Sequence, residues 1–120
     1  MLFRSLKDHK DFYTVHICTP NYLHEPIALQ VAPYGPQFVF VEKPGFKNSE
    51  AWYGIVMNYP KTRWTLVKNN QFRPVVGKSL REIAKISKRI EIVWENKHRI
   101  PNPGSWFTTK KLAFGGVSRD

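Results

Sequence analysis

Two apolar runs, each ending in a polar cluster, limit what this chain can fold into. Tyr13-Thr14-Val15-His16-Ile17-Cys18 gives way to Thr19-Pro20-Asn21-Tyr22-Leu23-His24, and Phe38-Val39-Phe40-Val41 gives way to Glu42-Lys43-Pro44. A nearly continuous apolar run with β-branched and aromatic residues suits a parallel strand covered on both faces. Between the runs, Pro20 and Asn21 mark a turn. Pro26 suits the first turn of a helix, where its missing N–H has no intrahelical acceptor to lose. Ile27, Ala28, Leu29, Val31 and Ala32 supply that helix with an apolar side, and Pro33-Tyr34-Gly35-Pro36 ends it. Strand, helix and strand within roughly 30 residues form a βαβ crossover. Ligands of open α/β sheets bind beyond the carboxyl ends of the strands, which is where both polar clusters fall.

The rest of the chain extends the alternation. Asn48 or Ser49 can cap a helix over about 50–58, with Glu50 favourable near its N-terminus and Pro60 closing it. Trp64-Thr65-Leu66-Val67 reads as a short strand running into Lys68-Asn69-Asn70-Gln71-Phe72-Arg73-Pro74. A helix is predicted over about 76–88, with Leu80, Ile83, Ala84 and Ile86 or Ser87 inward. Lys78, Arg81, Lys85 and Lys88 share its opposite face. Ile90-Glu91-Ile92-Val93-Trp94 is the next predicted strand, followed by a loop over 96–104 and a loop-like tail. Residues 1–12 read as a solvated lead-in, and the change of character near 73–75 marks the expected domain boundary.

Composition narrows the setting. A chain of 120 residues, 42% of them hydrophobic, is one domain or part of a larger one and can bury a core. No apolar run approaches the ~18–20 residues of a membrane span, and the start lacks the apolar centre of a signal peptide. No membrane partner is therefore expected. The single cysteine, Cys18, falls in a predicted buried strand, which excludes a disulfide framework and favours a cytoplasmic setting. The net charge of +10 is not evenly spread. Residues 61–120 carry fourteen basic and four acidic side chains, against five and five in residues 1–60. Such an excess suits an anionic ligand, nucleic acid or an acidic partner, and equally a solvated face.

At the strand ends, Lys43 precedes a proline and so leaves its strand in an extended setting. A lysine there can donate to a substrate oxygen, or simply occupy a solvated turn. Asn21 can cap the following helix or bond a ligand amide. His24 can do either, or play a structural part.

In order and spacing, Val15 to His24 followed by Val39-Phe40-Val41-Glu42-Lys43-Pro44 resembles the Gfo/Idh/MocA oxidoreductases. Asn70-Gln71-Phe72-Arg73-Pro74 is similar to that family's interdomain segment, and Gly115-Gly116-Val117-Ser118-Arg119-Asp120 to its glycine pair and catalytic-region aspartate. The resemblance implies an α/β fold: a partial Rossmann-like parallel sheet over 1–73, then the start of an α+β substrate domain over 74–120. It implies NAD or NADP as cofactor and a sugar, cyclitol or related hydroxy compound as substrate. Thr19, Pro20, Asn21 and His24 would line the cofactor cleft, Glu42 would contact the cofactor side, and Lys43 would touch the reacting oxygen. Asp120 would help position substrate, and the Lys43–Pro44 bond would be cis.

Two parts of the family pattern are missing from these residues. The glycines form no G-x-G-x-x-G phosphate loop, and the catalytic histidine expected four residues past Asp120 has no position here. The chain is accordingly expected to be an internal piece of the enzyme, binding dinucleotide weakly or not at all and inactive alone. Self-association through unpaired strand edges is a further expectation. The alternatives are a nucleic-acid or polyanion binder, which no recognised motif supports, and a protein-interaction module.

Overall fold

The computed structural model describes residues 14–69, 73–89, 91, 93 and 101–115. Three strands form a parallel sheet in the order β1 (Thr14–Ile17), β2 (Phe38–Glu42) and β3 (Arg63–Val67). Helix α1 (Asn21–Val31) and a short 3₁₀ turn (Ala32–Tyr34) connect β1 to β2, and helix α2 (Ser49–Asn58) connects β2 to β3. Register pairs Val15 with Val39 and Val39 with Trp64, and likewise Ile17 with Val41 and Val41 with Leu66. Partners in register point to the same side. One face of the sheet is therefore lined by Val15, Ile17, Val39, Val41, Trp64 and Leu66.

Both helices cover that face. Ala28, Val31 and Ala32 from the first connection and Phe46 and Ile55 from the second join Ile17, Val39 and Val41 in one buried cluster. Each fully buried aliphatic side chain contributes about 1.5–3 kcal/mol. The other face departs from the expectation of strands covered on both sides. Thr14 and His16 are exposed there, and Phe38 and Phe40 are half-buried. Its rings are shielded by neighbours on the same face: His16 stacks on Phe40 with centroids 4.9 Å apart, and the Arg63 guanidinium lies 5.8 Å from the Phe38 ring centroid.

Several boundaries move from their predicted places. Helix α1 begins at Asn21, so Pro26 lies at its sixth residue instead of in the first turn. The proline removes the hydrogen bond that the Tyr22 carbonyl would otherwise accept. Burial of Asn21 and His24 holds the preceding turn in place despite that loss. Cys18 follows the end of β1 and is exposed, because Ile17 takes the inward position and its neighbour points out. Helix α2 starts where predicted: Asn48 is its N-cap, and Ala51 N–H donates to Asn48 Oδ1 at 2.9 Å.

The described residues divide into two compact units, 14–67 with 102–115, and those within 68–101. The second contains helix α3 (Pro74–Ile86), with Pro74 in its first turn. On its predicted inner side, Leu80 is half-buried, while Ile83, Ala84 and Ile86 are exposed. Lys78, Arg81, Lys85 and Lys88 are exposed, and Lys85 pairs with Glu82 at 2.9 Å. The strand predicted at 90–94 lies largely outside the described residues. In the tail, the first unit contains a 3₁₀ turn (Trp106–Thr108) and helix α4 (Lys110–Ala113), where the sequence suggested only loop. No helix among the described residues is long and apolar enough to cross a membrane.

Candidate functional site

Both polar clusters stand at the carboxyl edge of the parallel sheet, and the His24 side chain links one to the other. Past β1, Thr19 and Pro20 turn the chain into α1, with Pro20 as the N-cap at φ −55° and ψ 146°. A proline offers no side-chain oxygen, and no side chain among the described residues caps this end. Leu23 N–H donates to the Pro20 carbonyl at 2.9 Å. The first turn of a helix otherwise presents N–H groups without intrahelical acceptors, which favours an electron-rich group beyond it.

Asn21 is not the cap that its type suggested. It sits inside the first turn, 5% exposed, and its Nδ2 donates to the Ala113 carbonyl at 3.0 Å. The amide fastens α1 to the last carbonyl of α4, an acceptor that a helix end leaves without an intrahelical donor.

His24 is completely buried. Its Nδ1 lies 3.0 Å from the Gly45 carbonyl oxygen and its Nε2 lies 2.7 Å from that of Thr19. One ring thus spans the loop after β1 and the turn after β2. These are the contacts of a structural histidine, and both belong to the candidate site.

The turn after β2 has its own internal bonds. Gly45 N–H donates to the Glu42 carbonyl at 3.1 Å, closing the four residues 42–45. Lys43 N–H donates to Glu42 Oε2 at 3.2 Å. The Lys43–Pro44 peptide bond is cis, as the resemblance implied. Glu42, Lys43 and Pro44 are half-buried, whereas Gly45 is buried with φ at 90°. A Cβ on Gly45 would stand 3.1 Å from Leu66 Cδ1, so both the backbone angle and the space favour glycine. Sequence reasoning passed over Gly45, although its place directly after Lys43-Pro44 was the available signal.

Among the described residues, one polar atom at this edge lacks a partner: the Thr19 hydroxyl oxygen is buried and makes no hydrogen bond with them. A buried unsatisfied hydroxyl costs about 1–3 kcal/mol, which a ligand oxygen or nitrogen at the strand end would relieve. Together, the Thr19 hydroxyl and the amides opening α1 place donors at this edge. Such an edge suits the oxygen atoms of a polar ligand. No cluster of three or more His, Cys, Asp or Glu side chains able to hold a metal occurs among the described residues. Asp120 lies outside them.

No protein-family model matches the chain, and no curated protein matches it by sequence. Among solved structures it is similar to levoglucosan dehydrogenase in complex with NADH and levoglucosan, at 29% identity and a TM-score of 0.53. The match covers 68% of this chain and 23% of that one, so the chain corresponds to about a quarter of the neighbour's length. Over that stretch the protein has a Rossmann-like α/β fold of the kind found in an NAD-dependent oxidoreductase.

Proposed function

We propose that the chain supplies the nicotinamide side of a dinucleotide cleft in an NAD(P)-dependent oxidoreductase of the Gfo/Idh/MocA type, acting on a sugar, cyclitol or related hydroxy compound. One observation carries the reading. The Thr19–His24 and Glu42–Gly45 segments meet at the carboxyl edge of a parallel sheet, joined through His24, and this is where open α/β sheets bind ligands. The likeness to a dehydrogenase bound to NADH and levoglucosan supports the cofactor and the substrate class.

The residues present fit the nicotinamide end of the cofactor. The orphaned Thr19 hydroxyl and the uncapped start of α1 are donors for carboxamide or ribose oxygens, with Pro20 shaping the turn between them and Asn21 fixing the helix start. When bound, the nicotinamide ring supplies the hydride acceptor or donor. Lys43 then donates a hydrogen bond to the substrate's hydroxyl or carbonyl oxygen, holding it near the ring and stabilising negative charge that develops there. Glu42 orients the Lys43 backbone through its carboxylate and contacts the cofactor side. Asp120 positions substrate. None of these residues supplies a pyrophosphate-binding glycine loop, so the chain by itself holds the cofactor weakly and does not turn over.

Titration of the ¹⁵N-labelled 120-residue chain with NADH tests the reading. Amide shifts confined to residues 19–24 and 42–45, saturating only in the millimolar range, are expected. An absence of shifts at high NADH, or shifts centred on α3, would reject it.

A further inference from the structure

We propose that His24 is a positioning residue: a buried clasp that holds the turn carrying Lys43 against the end of β1. The proposal rests on the reading of Lys43 as the group at the reacting oxygen, and it assigns His24 a role through that lysine instead of through the cofactor.

The geometry is specific to a clasp. A ring that is 0% exposed presents no edge to a ligand. Each of its nitrogens faces a backbone carbonyl, Gly45 at 3.0 Å and Thr19 at 2.7 Å. These carbonyls belong to different loops, 21 residues after His24 and 5 residues before it. The contact to Thr19 is local and ties the ring to its own helix entry. The contact to Gly45 crosses to the second strand end. The bonds from Gly45 N–H to the Glu42 carbonyl and from Lys43 N–H to the Glu42 carboxylate shape the turn from within. They act within the turn, whereas the His24–Gly45 contact reaches another element, as does the burial of the following residue, Phe46, in the core. A carbonyl can only accept, and a neutral imidazole carries one N–H, so the clasp needs the form in which Nδ1 holds a proton toward Gly45. Donating to Thr19 at the same time needs a proton on both nitrogens. A side chain lacking that donor leaves the buried Gly45 oxygen without this partner.

Two amide substitutions separate the tethers. The amide nitrogen of asparagine falls near the position of Nδ1, and that of glutamine near Nε2. His24→Asn therefore keeps a donor for Gly45 and loses the contact to Thr19, and His24→Gln does the reverse. Hydrogen exchange of the 120-residue chain by NMR is the readout, with the Val39 and Val41 amides as internal reference. At matched thermal stability, His24→Gln is expected to speed exchange at Lys43 and Gly45 by about tenfold over His24→Asn, with Val39 and Val41 unchanged in both. Equal exchange in the two variants, or acceleration that extends equally to Val39 and Val41, would overturn the clasp.

If neither variant folds, the wild-type ring decides. A His24 ring N–H that exchanges slowly and shows a nuclear Overhauser contact to Gly45 supports the proposal, and a freely exchanging ring without that contact refutes it. A parallel NADH titration keeps the two ideas apart. Selective loosening of Lys43 and Gly45 in a chain that gives no NADH shifts would retain the clasp and reject the cofactor reading.

Discussion

Gly45 shows how narrowly one position can be specified at a strand end. Its φ of 90° lies where side chains other than glycine are strained, and an added Cβ would approach Leu66 Cδ1 to 3.1 Å. Gly45→Ala is expected to cost about 1–3 kcal/mol for the backbone alone, read as a lowered urea midpoint with an unchanged slope. Because Gly45 also offers its carbonyl to His24, the same substitution displaces the turn that carries Lys43. Glu42 and Lys43 were legible from sequence as the polar end of an apolar strand, which is where the structure has them. Asn21 and His24 were legible as polar residues at a strand end, but not as buried ones with backbone carbonyl partners. Which acceptor a buried amide or imidazole finds depends on Ala113 and Gly45, residues whose own side chains carry no polar signal.

The elements themselves follow from local chemistry where they are long enough to display a pattern. The β2 run and the Asn48 cap are examples, since the alternation of burial in β2 and the side-chain oxygen before α2 are written in a few adjacent residues. Replacing Asn48 by Ala removes the acceptor for Ala51 N–H and is expected to cost about 1 kcal/mol. Circular dichroism melts should show the loss, and Asn48→Ser should recover most of it. Helix α1 was harder to place because Pro26 is an N-terminal signal by type but sits at the sixth residue. Tertiary burial of the first turn outweighed that preference. Helix α4 and the turn before it were not legible at all: three or four residues are too few to establish a period of 3.6.

At the scale of the molecule, β1 and β3 are the outer strands of the sheet among the described residues, while the formal net charge is +10. Strand edges and the half-covered face with Phe38 and Phe40 favour association, and like charge opposes it. Screening weakens the second effect and leaves the first. Sedimentation velocity is therefore expected to show heavier species as concentration rises, more so at about 0.5 M than at about 0.05 M salt, where the Debye length is longer. A monomer independent of concentration at both salts would contradict this. The chain's parallel strands and crossover helices were the part of the architecture most open to sequence reasoning, because each crossover is built from neighbours in the chain.

The hydrogen bond from Asn21 to Ala113 joins residues 92 apart, and this sets an order in time. During synthesis at about 5–20 residues per second, Asn21 waits roughly 5–20 s before its acceptor exists. Over that interval β1, α1 and β2 can pack using the partners already made, but the opening turn of α1 lacks the bond that fastens it. The carboxyl edge of the sheet is thus completed late, after the apolar layer beneath it, and a nascent chain would hold its core before it held that edge.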